Sequence, residues 1–105
     1  MFVGKVTGSV VSTQKVEAMR GQKLLLVEPY CLDKETQSVL SSIGKTFVAV
    51  DTVGAGEGEF VLVVQGSSAR LTPETRDLPV DAVIVGIIDA VQARDKCVYS
   101  KEHNS

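Results

Sequence analysis

The chain has 105 residues, 13 acidic against 11 basic, and a formal net charge of −2. That length makes one domain with a modest core that further burial through association would help. The charge supplies no long-range attraction for nucleic acid or an anionic membrane. No run approaches the length of a membrane span, and Met1-Phe2-Val3-Gly4-Lys5 lacks the layout of a secretion signal, so a cytosolic location is expected. Cys31 and Cys97 have no C-x-x-C partner and the single histidine is His103, so two reduced thiols are expected, with no metal site and no cofactor.

In chain order the pattern is one of strands separated by turns. Phe2 to Val11 alternates, with Val6, Gly8 and Val10 on one face and Lys5, Thr7 and Ser9 on the other. Gln14 to Gly21 has room for a turn of helix at most. Strands are predicted at Lys23–Glu28, Phe47–Val50, Phe60–Val64 and Val83–Val91, each rich in β-branched residues and bounded by Gly, Pro or Asp. Tyr30 to Thr46 reads as the longest polar loop. Ser67-Ser68-Ala69-Arg70 reads as a second short helical turn with Ser67 as its cap, and Leu71 to Pro79 as another loop. Residues 1–92 read as one all-β domain. Residues 93–105 read as a polar tail that frays or adds a short strand around Val98-Tyr99.

The later strands scarcely alternate and so are apolar on both faces, yet no amphipathic helix is long enough to cover a second face. A small closed barrel hides one face of each strand and leaves the other outside. Another copy of the chain is the expected cover. The competing cover is the chain itself, through loop 30–46 and the tail.

Asp51 to Glu59 reads DTVGAGEGE, with glycines at 54, 56 and 58. Glycine allows positive φ and lets amides converge on an anion, which suggests a phosphate cradle. The motif does not support one: no G-K-[ST] follows, the third glycine of a G-x-G-x-x-G would fall at Glu59, and the next residues read as strand. Glu57 and Glu59 would repel a phosphate. Asp51, Asp81 and Asp89 could converge as an acidic site, but no nucleophile–base pair or metal cluster accompanies them.

Several segments together resemble a known family. They are Gly4-Lys5-Val6-Thr7-Gly8-Ser9-Val10-Val11-Ser12-Thr13, the Lys23-Leu24-Leu25 strand, and the block from Val48-Ala49-Val50-Asp51 through GAGEGE to Gly66-Ser67-Ser68-Ala69-Arg70. Pro79-Val80-Asp81 leading into Ile84-Val85-Gly86-Ile87-Ile88-Asp89 completes the set. In order and spacing this resembles the pentameric vertex proteins of bacterial microcompartments, relatives of the carboxysome, ethanolamine-utilisation and propanediol-utilisation vertex subunits. The loop after Tyr30 is longer than in that family, and the polar tail departs from it.

The resemblance implies a five-stranded, OB-like β-barrel assembling as a cyclic pentamer. It implies a non-catalytic structural role in a shell within the bacterial cytoplasm, with hexameric and trimeric shell proteins as neighbours. It also implies that Val53, Gly54, Ala55, Gly56, Glu57 and Gly58 line the axial opening. For the contact between subunits the candidates are Asp51, Glu59, Ser67, Ser68 and Arg70. Glu59 opens a strand after the turn and Arg70 closes the segment beyond it, so a guanidinium–carboxylate pair across the boundary would fix register, with Asp51 as the alternative partner; the competing reading is that these are solvated strand-end charges, worth little individually. The alternative function is that of an OB-type module binding single-stranded nucleic acid, which would need stacking aromatics along a basic groove.

Overall fold

In the computed structural model the described residues are 1–11, 21–33, 39–66, 69, 81–93 and 96–101. Among them run eight strands: β1 Phe2–Val10, β2 Lys23–Leu32, β3 Leu40–Ser42, β4 Phe47–Asp51, β5 Phe60–Gln65, β6 Ala82–Ile87, β7 Ala90–Ala93 and β8 Lys96–Ser100. The order β1-β5-β6-β4-β2 closes through β2 pairing with β1, giving a five-stranded barrel. Four of its five seams are antiparallel; β4 and β6 run parallel, with Val50 opposite Val83. The described residues include no α-helix.

The interior is built from short, mostly β-branched side chains: Val6, Leu25, Val27, Ala49, Ala55, Val61, Val63, Ala82 and Ile84, with Phe2, Phe47 and Ile87 packed against them. Five strands enclose little space, which suits Val and Ala, and each fully buried Val contributes about 1.5–3 kcal/mol. Gly4 is buried in the same wall, where a β-carbon would clash with Val27 Cγ1 and lie 3.3 Å from the Glu28 carbonyl oxygen.

The alternation expected along the first strand is broken at Thr7. Val6 faces Val27 but Gly8 faces Leu26, so β1 carries one residue more than β2 over this stretch. Directly opposed residues share a face, so Gly8 and Val10 pass to the side of Leu26 and Leu24, away from Val6. A bulge leaves no mark in hydrophobic periodicity.

Two expected boundaries also change. The loop predicted at 30–46 is partly a hairpin: β2 continues to Leu32, and β3 folds back with Leu40 opposite Leu32 and Ser42 opposite Tyr30. The strand predicted at Val83–Val91 stops at Ile87: Ile88 makes one last bond toward β5, donating its N–H to the Phe60 carbonyl at 2.8 Å, and the chain then leaves the barrel as β7. The short strand at Val98-Tyr99 is present as β8, paired with β7 through Val91 opposite Tyr99. The two predicted helical turns lie outside the described residues, apart from Gly21 and Ala69.

The outer face carries two apolar clusters. One joins Val50, Ala69 and Val83 with Leu24, Val64 and Val85. The other joins Phe60, Ile88 and Tyr99 with Val3, Tyr30, Leu40, Leu62 and Val91. In the second, β3 and the C-terminal hairpin fold back over the barrel, so the chain does part of the covering that was assigned to another copy. Val48 on β4 and Ile43 stay 45% and 57% exposed.

Candidate functional site: the glycine-rich turn

The turn between β4 and β5 closes one end of the barrel, and two carboxylates shape it from inside. Asp51 ends β4 with its side chain 1% exposed; its Oδ1 accepts the Val53 N–H at 3.0 Å and its Oδ2 the Ala55 N–H at 2.9 Å. Asp favours such turns because its short carboxylate reaches backbone amides a few residues on. Lys23, at the start of β2, lies opposite Asp51. Its Nζ sits 3.5 Å from Oδ2 and donates to the Ala55 carbonyl at 3.0 Å. A buried carboxylate is tolerable when amides and a cation answer it in this way. Thr52 Oγ1 donates to the Ile84 carbonyl at 2.8 Å, fixing the turn to β6. Ala55, 1% exposed, turns its methyl into the interior cluster.

The second half of the turn hangs on Glu59. One oxygen, Oε1, accepts the Gly56 N–H at 2.6 Å, and the other, Oε2, pairs with Lys101 Nζ at 2.7 Å. The Lys101 hydrogen bond first, and then the Gly56 amide, hold the Glu59 carboxyl below its ordinary range, while Glu59 holds the Lys101 ammonium above its own. Gly58 donates to the Val6 carbonyl at 2.8 Å and Val6 to the Glu59 carbonyl at 2.9 Å, so the turn leaves along β1.

Positive φ occurs at Gly54 (78°) and Gly58 (91°). Gly56 lies outside that region, and a β-carbon there would meet only Glu59 Oε1, at 3.4 Å, so neither backbone conformation nor space within the chain demands glycine at this position. The amides of Val53, Ala55, Gly56 and Gly58 are all taken within the chain. A phosphate cradle would need such donors free.

Val53 to Gly58 therefore come together as one exposed cap, with Val53, Gly54, Glu57 and Gly58 outward and Ala55 inward. The carboxylates of Asp51 and Glu59, candidates for pairing with another subunit, are engaged inside the chain. Asp51 has no side-chain surface left to share, whereas Glu59 keeps 23%. Ser67, Ser68 and Arg70 lie outside the described residues. The sequence reading missed Lys23 and Lys101. Lys23 meets Asp51 only through the pairing of β2 with β4, 28 residues away in sequence, which no local pattern announces. Lys101 stands 42 positions after Glu59, with no local pattern joining them.

The fold also places the residues weighed for other chemistries. Asp81 and Asp89 flank β6 at opposite ends, on the order of 20 Å apart, so the three aspartates do not converge. All five aromatic rings pack on one another. Phe2 meets Phe47 at 5.3 Å between centroids, and Phe60 meets both Tyr30 at 5.1 Å and Tyr99 at 4.6 Å. The five rings thus form two packed groups and not a row along one groove. Among the described residues no group of three or more His, Cys, Asp and Glu could hold a metal ion.

A closed five-stranded barrel capped by an internally braced glycine turn defines the class: a small all-β barrel of OB-like architecture. Residues 1–89 match the family described as "Ethanolamine utilisation protein EutN/carboxysome", and the chain belongs to that family. It is 47% identical over 92 residues to the bacterial microcompartment shell vertex protein GrpN of Rhodospirillum rubrum, covering 88% of this chain and 97% of the relative. It is 44% identical over 103 residues to the carboxysome shell vertex protein CcmL of a Nostoc species, covering 97% and 96%. The solved structure of Gloeobacter violaceus CcmL superposes with a TM-score of 0.83 at 41% identity over 97% of this chain and 99% of that one. The GrpN structure, reported as a pentameric microcompartment shell protein, gives 0.72 at 46% identity over 89% and 98%.

Proposed function

We propose that this chain is the vertex subunit of a bacterial microcompartment shell, a non-catalytic structural protein of the bacterial cytoplasm that assembles as a homopentamer. The observation that carries the reading is likeness to named shell vertex proteins across nearly the whole chain, in both sequence and closed barrel. Hexameric and trimeric shell proteins are the neighbours such a ring would meet. Cyclic contacts are heterologous and closed, so growth stops at the ring, as a vertex requires. In the ring the turn Val53–Gly58 faces the axis, its outward residues lining the opening and Ala55 anchoring it from beneath. Ser67, Ser68, Arg70 and Glu59 are the residues proposed for the contact with the neighbouring copy, and Asp51 acts by shaping the turn.

Native mass spectrometry at micromolar protein tests the assembly. The expected species carries five copies of the 11.2 kDa chain. A stable monomer across that range overturns the proposal, and a closed ring of another size overturns the pentamer. Co-expression with a hexameric shell protein should yield closed polyhedral particles by electron microscopy, and open sheets or tubes when this chain is omitted.

A further inference from the structure

We infer that the C-terminal hairpin is a strap that sets the outer half of the glycine-rich turn, with Glu59 as the coupling residue. The turn has two separately anchored halves. Val53 and Ala55 hang on Asp51, which is backed by Lys23 of β2, inside the barrel wall. Gly56 hangs on Glu59 alone among the described side chains, and the other oxygen of Glu59 belongs to Lys101, the residue that follows β8.

The hairpin holds Lys101 in place by two further contacts. The Lys101 N–H donates to the Asp89 carbonyl at 2.8 Å, closing the base of β7–β8. Two residues earlier Tyr99, 8% exposed, packs on the Phe60 ring at 4.6 Å between centroids. Phe60 and Glu59 are consecutive, so the hairpin grips both residues at the point where the turn enters β5. One of these contacts is apolar and buried, and the other is charged and half-exposed. Docking of the hairpin and capping of the Gly56 amide are thereby one linked arrangement: when Lys101 leaves, Glu59 loses the partner that fixes its rotamer, and the exposed stretch Gly56–Gly58 loosens while Val53–Ala55 stays fixed. The consequence for an axial opening rests on the reading proposed above; the coupling itself does not.

Amide hydrogen exchange read by NMR on the intact protein tests it. Lys101→Met should speed exchange of the Gly56 amide about two- to fivefold, the range for a half-exposed ion pair. Glu59→Ala, which removes the acceptor, should speed it roughly tenfold or more. In both variants the Val53 and Ala55 amides should keep parental rates, and Lys101→Arg should restore the Gly56 rate. Tyr99→Ala, which undocks the hairpin without touching either charge, should also expose Gly56. An unchanged Gly56 rate in Lys101→Met overturns the strap. So does an equal acceleration at Val53, Ala55 and Gly56, which would mean general loosening. Native mass of the same samples reads ring size independently, so failure of the strap and failure of the pentamer remain distinct.

Discussion

Gly4 is the position where one added methyl should cost most. It lies in β1 between Pro29 of β2 and Val61 of β5, and its missing side chain would point at Val27. In Gly4→Ala the new carbon would clash with Val27 Cγ1, lie 3.3 Å from the Glu28 carbonyl oxygen, and lie 3.7 Å from Val63 Cγ2. Val27 and Val63 are fully buried and stiff at χ1, so neither has a rotamer to retreat to. Forcing a methyl into such a core costs about 1–3 kcal/mol. For a domain of this length that lowers the melting temperature by roughly 4–20 °C. Thermal melts followed by circular dichroism measure it, with Gly86→Ala as the control: there the β-carbon would meet only Leu62, at 3.6 Å, and the melt should change little. Val27→Ala should be destabilising alone yet relieve Gly4→Ala, so the double variant should cost at least about 1 kcal/mol less than the two singles together. Additive costs, or Gly4→Ala melting like the parent, would refute the crowding.

The other predictions concern the turn. Gly58→Ala must hold a side chain at φ 91° and should lose about 1–2 kcal/mol in urea unfolding, whereas Gly56→Ala, whose β-carbon would sit 3.4 Å from Glu59 Oε1 in ordinary backbone, should lose less than about 0.5. Asp51→Ala strands the buried Ala55 amide and should cost about 1–3 kcal/mol by the same assay; an unchanged midpoint would mean that water replaces the carboxylate freely. The pair of Glu59 and Lys101 should mark the pH profile of stability. Glu59 titrates below its ordinary 4.5 in the folded chain, so its contribution is complete above about pH 4.5 and disappears as pH falls through the lowered value. Lys101 titrates above its ordinary 10.5, so its contribution is complete below about pH 10.5 and disappears as pH rises through the raised value. The melting difference between parent and Lys101→Met should therefore be flat between those limits and close at both ends; a gap that persists deep into acid would rule out the pair as its source.

Local chemistry decided much of this protein. β-Branched runs bounded by Gly, Pro and Asp located most of the strands, since such side chains crowd a helix and suit a pleated surface. The glycines at 54 and 58 marked a turn because only glycine takes those φ values without strain. Motif order carried the family, as it survives changes in loops. Closure was a different matter. Nothing local says that β2 pairs with β1, β3 and β4 or that β4 and β6 run parallel, because pairing over such separations depends on which surfaces remain after every other strand has found a partner. The bulge at Thr7 was equally silent, and it reassigned the faces of Gly8 and Val10. The largest revision came at the charges. Asp51 and Glu59 read as strand-end carboxylates open to a neighbour, but folding brought Lys23 from 28 residues upstream and Lys101 from 42 downstream to meet them. Composition could place those charges on the chain. Only the closed barrel and its docked hairpin could decide that they brace the turn, because an ion pair is set by distance in space and two residues far apart in sequence have none until the strands between them are laid down.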